Sequence, residues 1–266
     1  SENALAVSMA RLTSGLRVNS AKDDAAGLSI AERMTSQVRG MNVAVRNSND
    51  GISLAQTAEG ALGKSGELLQ RMRELAIQSA NATNSTSDKA SLDTEYGELA
   101  KEVQRVFAST TFNGQRIIST DARPQVFQVG ANTAAENQIT VTTSNMTIQA
   151  DLVAVAGTDT AGTGRSVITG NSAAIMAVIG KIDVAIDQVS NERSILGASQ
   201  SRFENAISFL TISSENQSAA RSRILDADYA QETANLSRAQ ILSQAGSAML
   251  AQANQQPQSV LSLLRG

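Results

Sequence analysis

"AAIMAVIGKIDVAIDQVSNERSILGASQSRFENAISFL", residues 173–210, carries the pattern that decides the fold. Ile175, Ile179, Ile182, Ile186, Val189, Leu196, Phe203, Ile207 and Leu210 follow in alternating steps of four and three, and only Arg193 and Gln200 interrupt the register. Such steps keep side chains on one stripe of an α-helix, and a stripe sustained over about five heptads is a coiled-coil seam. A helix of that length spans roughly 57 Å at about 1.5 Å per residue, too long for an ordinary globular core. The seam needs a partner.

Residues 24–80 supply one. Leu54, Ala58, Ala61, Leu62, Leu68, Leu69, Met72, Leu75 and Ala76 recur at offsets of three, four and seven. "NATNSTSDKA" (81–90) breaks that run with cap-type residues, and Ser87 or Asp88 is placed to start a further helix through "LDTEYGELAKEVQRVF" (92–107). Between the helical arms the pattern changes. Asn113-Gly114 in "TFNGQ" (111–115) is a turn dipeptide, and "PQVFQVGANTAAENQITVTT" (124–143) reads as two short strands around a loop. "AVAGTDTAGTGRSVITGNSA" (154–173) reads as loop or weak strand. The simplest way for the two arms to bury their stripes is to pair with each other. The predicted fold is therefore mainly α: a long antiparallel helical coiled-coil rod with a small β-hairpin region in the middle of the chain.

The C-terminal end is unusual for a free terminus. From Ala239 through Leu264 there is no charged residue, while Ile241, Leu242, Met249, Leu250, Val260, Leu261, Leu263 and Leu264 supply apolar surface. In those 26 residues eleven are Gln, Asn or Ser, which argues against a membrane span and for packing between neighbouring helices. A segment of this kind is built to be covered.

Composition narrows function by exclusion. The 266 residues contain no Cys and no His, which removes the commonest transition-metal ligands and the usual neutral-pH general base. A net charge of −3 leaves no basic footprint for nucleic acid. No charged-then-apolar leader and no run of about 20 apolar residues is present. Candidate sites have ordinary explanations. Asp23 and Asp24 fit a helix cap; Gly60, Gly63, Lys64 and Ser65 lack the spacing and preceding strand of a phosphate loop; Asp226, Asp228 and Glu232 fit the first turn of a helix. Arg71 and Leu75 are four apart on one helix face, readable as a seam leucine with a solvated border or as a small binding surface. No constellation supports an enzyme, a cofactor or a metal site. The chain reads as a building block.

Several blocks then resemble bacterial flagellin: "RLTSGLRVNSAKDDAAGLSIAERMTSQVRGMNVAVRNSNDGISLAQTAEGAL" (11–62), "ELLQRMRELAIQSANATNS" (67–85), "TFNG" (111–114) and "ETANLSRAQILSQAGSAMLAQANQQPQSVLSLLRG" (232–266). The likeness is collinear and covers about residues 1–118 and 172–266. It implies a structural subunit that polymerises into the flagellar filament for motility, secreted through the flagellar type III apparatus without signal cleavage. Hook–filament junction proteins and flagellin-like surface adhesins are the alternatives. The resemblance implies terminal helices 1–23 and 215–266 as the filament's inner layer, with a connecting break near 14–24. It implies a helical domain of 24–110 and 172–214, and a small variable region at 111–171 in place of bulky outer domains. Similar proteins carry a further stretch of helix before the position of Ser1. Implied partners are further copies of the chain, an export chaperone, cap and hook-junction proteins, and the host Toll-like receptor 5, with no nucleic acid and no membrane insertion. Arg71, Leu75 and Glu95 match the family's receptor-contact pattern, two polar contacts and one apolar.

Overall fold

The computed structural model describes residues 2–264, with side chains from residue 3 to residue 253. Six α-helices dominate: α1 (Glu2–Ser14), α2 (Ala25–Ser79), α3 (Thr86–Ser109), α4 (Ala150–Ala156), α5 (Ser172–Leu225) and α6 (Tyr229–Leu264). Four short strands lie between α3 and α4: β1 (Thr111–Phe112), β2 (Gln115–Arg116), β3 (Pro124–Gln128) and β4 (Gln138–Thr142). Backbone contacts divide the chain into a unit of residues 40–211 and a unit of residues 1–39 with 212–266. The long helices α2 and α5 contribute to both.

In the 40–211 unit, α2 and α5 run antiparallel. The space beside Gly51 is filled by the Phe203 ring, Gly66 faces Val189, and Arg73 Nε donates to Asp183 at 2.6 Å. As the number rises on α2 it falls on α5. Ile175, Ile179, Ile182, Val189, Leu196, Phe203 and Leu210 of the seam are buried, whereas Ile186 and Ile207 are half-buried. Val178, Ala185 and Ser199 are buried beside them, so the stripe is wider than a two-helix seam. The two interruptions have a shared purpose. Arg193 lies 3.5 Å from Glu59 Oε1, and Gln200 donates to Glu59 Oε2 at 3.2 Å, so one α2 carboxylate receives both.

The middle segment joins the same core. Val129, Ile139, Val141, Met146, Leu152, Val155 and Ile168 cluster with apolar residues of α2, α3 and α5. Helix α3 begins at a capping box: Ser85 Oγ accepts from the Asp88 amide while Asp88 accepts from the Ser85 amide, two or three residues earlier than the sequence suggested. β1 and β2 form the expected hairpin, with Asn113 at φ 49° and Gly114 at φ 78°, the left-handed pair a two-residue turn requires. β3 and β4 pair antiparallel from Pro124–Thr142 to Gln128–Gln138. Residues 154–156, read from the sequence as loop or weak strand, instead end α4. Burial of Leu152, Val155 and Ala156, with Tyr96 Oη donating to the Val155 carbonyl at 3.3 Å, overrides the β preference of the valines.

An ion pair fastens the loop after α4. Arg165 donates from Nη2 to Asp93 Oδ2 at 2.6 Å and from Nη1 to Oδ1 at 3.0 Å, and Oδ1 also accepts from the Ile168 amide at 2.8 Å. The guanidinium lies against Gly97, where a Cβ would meet it at 2.9 Å, and 5.6 Å from the centre of the Tyr96 ring. Burial pushes the Asp93 carboxyl up, but the hydrogen bonds from Arg165 and Ile168 and the Arg165 charge outweigh it and hold the group below the usual carboxylate range.

In the other unit the two connectors are stitched together. Leu16 and Asp226 form an antiparallel bridge, the Arg17 amide donates to the Leu225 carbonyl at 2.6 Å, and the Ala227 amide donates to the Gly15 carbonyl at 2.9 Å. Asp24 caps α2 by accepting from the Gly27 amide at 2.8 Å. Asp23 accepts from the Ser20 hydroxyl, the Ser20 amide and the Asn19 amide, which keep its carboxyl below its ordinary pKa. Asp228 caps α6 through the amides of Ala230 and Gln231. The adjacent carboxylates are turn and cap residues.

Candidate interaction surfaces

The first surface lies on α1 and α6. The two helices pack through Tyr229 Oη, which donates to the Leu12 carbonyl at 3.0 Å, and through Arg11 and Glu232, 3.7 Å apart. Arg11 sits in the last turn of α1 and Glu232 in the first turn of α6, where the helix dipoles favour each charge. Glu232 is buried. Along this pair runs a groove of about 480 Å³ whose apolar wall includes Ala4, Val7, Ala239 and Leu242 and whose polar rim includes Arg11, Glu232 and Arg238.

Beyond the groove the described part of α6 leaves large apolar side chains uncovered. Ile241, Leu242, Met249 and Leu250 are 66%, 55%, 70% and 67% exposed, although no charged residue occurs from Ala239 to Leu264. Large side chains left in water on a charge-free stretch of helix mark an interaction face. Val260, Leu261, Leu263 and Leu264, expected to share this role, lie outside the residues whose side chains are described.

The second surface spans α2 and α3. Arg71 donates from Nη2 and Nε to Glu95 Oε1 at 2.8 and 3.1 Å, and from Nη1 to Glu74 Oε2 at 2.9 Å. Its hydrogen bonds to Glu95 and then to Glu74 raise the guanidinium's already high pKa. Arg71 and Glu95, placed together by the resemblance, are thus in direct contact and half exposed. Leu75 does not join them. It is 1% exposed and belongs to the core cluster, so the apolar contact expected of it is not on the surface. At i and i+4 a seam residue and its border are adjacent on the helix, but only the border reaches solvent.

Sequence reasoning missed two further features. Phe209, on α5 next to the seam residue Leu210, is 68% exposed, whereas the other four Phe are buried or half-buried. Between α2 and α5 lies a hollow of about 310 Å³ floored by Ile186 and Val189 and opened by Gly63 and Gly66. An aromatic off the seam register and a glycine pair three apart were the available signals. Among the described residues no group of three or more acidic side chains could hold a metal ion, and no helix is long and apolar enough to cross a membrane.

Comparison with known proteins gives these surfaces a context. A family model described as the bacterial flagellin N-terminal helical region matches residues 1–122, and one described as the bacterial flagellin C-terminal helical region matches residues 179–264. A flagellin of Halalkalibacterium halodurans is 47% identical over 257 residues, covering 97% of this chain and 90% of that protein. A flagellin of Bacillus subtilis is 44% identical over 284 residues, covering 97% and 91%. Among solved structures, Bacillus cereus flagellin aligns at TM-score 0.51 with 29% identity, over 66% of this chain and 94% of that one. A putative flagellar hook-associated protein from Vibrio parahaemolyticus aligns at TM-score 0.62 with 12% identity, over 77% of this chain and all of that one, a likeness of fold alone. With both family models matching and relatives 47% and 44% identical over nearly the whole chain named flagellin, the chain belongs to the bacterial flagellins, the structural subunits of the flagellar filament.

Proposed function

We propose that α6, with α1, forms the layer of the filament nearest its axis, and that residues 24–110 and 172–214 form the next layer out with 111–171 toward the exterior. The observation that carries this is the charge-free apolar face of α6, exposed in the isolated chain. A charge in a closely packed axial layer needs a partner or incurs a desolvation penalty of about several kcal/mol, whereas Gln, Asn and Ser hydrogen-bond between helices without it. Contacts of head-to-tail type that do not close into a ring extend as a helical filament. The test is truncation of residues 239–266. The 40–211 unit stays folded by circular dichroism, because its core residues all lie upstream, while growth from filament seeds stops. Normal growth without the tail refutes the assignment.

The partners that accompany the reading are an export chaperone, cap and hook-junction proteins, with delivery outside the cell through the type III apparatus. A second reading concerns the host receptor, Toll-like receptor 5. It is supported by the half-exposed Arg71–Glu95 pair, with Glu74 and without Leu75. In a receptor reporter assay the Arg71→Ala, Glu95→Ala double variant loses most of its signalling, and undiminished signalling removes these residues from the site. The adhesin and hook-junction alternatives are not favoured by 47% and 44% identity to flagellins over nearly the whole chain.

A further inference from the structure

We propose that Phe209 of one copy inserts into the hollow between α2 and α5 of a neighbouring copy, so that neighbouring 40–211 units lock knob into hole in the filament. The proposal rests on the filament reading and names the surface by which those units meet.

Phe209 is not enclosed by its own chain. In a protein with 3% aromatic residues, Phe107 and Phe203 are fully enclosed and Phe112 and Phe127 half-buried, while Phe209 stands 68% in water. Interfaces concentrate their binding energy in such aromatic anchors when a pocket receives them. The hollow offers a narrow apolar strip at Ile186, two glycines that open it, and a polar surround of Glu67, Gln70, Ser190 and Arg193 whose side-chain stems and guanidinium can line an aromatic ring. The nearest atoms a Cβ would meet are 4.0 Å away at Gly63 and 3.9 Å away at Gly66, so the space is open.

The placement of the two features selects a second copy as the occupant. Phe209 and Val189 are twenty residues apart on one helix, about 30 Å along its axis and about 160° around it. A knob on one side and a hole on the other make a heterologous contact, and the axial offset means that successive copies climb instead of closing into a flat ring. Charge agrees with parallel α5 helices. Arg202 lies seven residues before Phe209, and seven residues before Ser190 at the rim of the hollow lies Asp183, with Asp187 between. Arg202 and Asp187 are exposed and, among the described residues, form no ion pair within their own chain. Asp183 already pairs with Arg73 of its own chain, so seating the knob brings Arg202 to within about one helical turn of the carboxylate that is left, Asp187.

The test uses the full chain and seeds sheared from its own filaments. Phe209→Ala removes the knob from an exposed position, and Gly63→Leu fills the hole while replacing a poor helix former by a good one. Both variants keep the monomer's circular dichroism, Phe209→Ala melts with the parent and Gly63→Leu no lower than it, and each raises the critical concentration for growth by about tenfold or more, the loss expected for an interface anchor. The chain has no cysteine, so Phe209→Cys with Ser190→Cys gives a clean cross-link: oxidised filaments yield a ladder of covalent multimers and monomers do not. Growth of Phe209→Ala and Gly63→Leu at the unmodified concentration overturns the knob and hole and leaves the filament reading standing. A Phe209→Ala monomer that melts early overturns it too, because the ring then belongs to the chain's own core. Failure of the unmodified chain to form or extend filaments overturns both readings.

Discussion

Gly51→Ala is a severe test of the packing, because helix propensity and packing give it opposite signs. Gly51 lies inside α2, where alanine is favoured over glycine by about 1 kcal/mol. By propensity alone the substitution stabilises. A Cβ built on Gly51, however, would stand 2.5 Å from Phe203 Cζ, 2.8 Å from Cε2 and 2.9 Å from Cε1. Ordinary carbon contacts lie at about 3.5–4.0 Å, so the ring must retreat by about 1 Å. It has nowhere to go. Phe203 is fully enclosed and stands edge-on to Phe127, with centroids 5.5 Å apart and planes at 86°. Flipping the ring does not help, since Cζ lies on the flip axis.

Overpacking of a filled core costs about 1–3 kcal/mol. Set against the propensity gain, the net is a destabilisation of up to about 2 kcal/mol, a fall in melting temperature of up to about 8 °C for a unit of this size. The control is Gly60→Ala, nine residues on in the same helix, where a Cβ meets nothing within 4 Å. There the melting temperature rises by about 1–3 °C, from the propensity term alone. Adding Phe203→Leu to Gly51→Ala should recover at least about 1 kcal/mol relative to the sum of the single changes, because the two sites share one space. Monomer melts followed by circular dichroism decide it. Equal stabilisation by both alanines, or coupling below about 0.5 kcal/mol, refutes the close approach of α2 and α5 at this level.

Two further perturbations probe the same unit. Ile182→Asp places an unpaired carboxylate at a fully buried seam position and costs about 4 kcal/mol or more; a melt within a degree or two of the parent shows that the four–three register is not the core. Asp93→Ala leaves Arg165, 18% exposed, without its partner and costs about 2–3 kcal/mol, less than the ~3–5 kcal/mol of a wholly enclosed pair. Because the Asp93 pKa is lowered on folding, its contribution is fully present above the unfolded value near 3.8 and is lost as pH falls below that; an acid melt of Asp93→Ala that still runs parallel to the parent below pH 4 assigns the acid loss to other carboxylates.

The α2–α5 pairing was legible because large apolar side chains at steps of four and three leave little choice of structure. Its width was not. Ala185 and Ser199 are as buried as the isoleucines, yet a template that counts only large apolar residues passes over them. α5 buries that broader face because the core it meets includes the middle segment as well as α2. Arg193 and Gln200 read as faults in the seam, whereas both reach Glu59, more than 130 positions away in sequence. Asp93 and Arg165 are separated by 72 positions, and nothing local to either announces the pair. Helix α4 is too short for periodicity to outweigh its valines, and only tertiary burial makes it helical.

Interaction surfaces obey a different rule, since they are defined by what the isolated chain fails to satisfy. The charge-free run after Ala239 is such a failure written directly in composition, and the exposure of Ile241, Met249 and Leu250 is its structural counterpart. Leu75 shows the limit of reading a surface from spacing. Its neighbour Arg71 reaches solvent and Glu95, but one helical turn further along α2 Leu75 is enclosed in the core. Phe209 shows the converse. It sits beside Leu210, and in sequence the pair looks like one apolar step, yet residues i and i+1 point about 100° apart. Leu210 takes the buried direction and Phe209 is left facing outward. The unit therefore closes its own core completely and still carries an aromatic anchor and a hollow that it does not use. In a subunit whose relatives are flagellins, the balance is restored only when a second copy supplies the missing side of each.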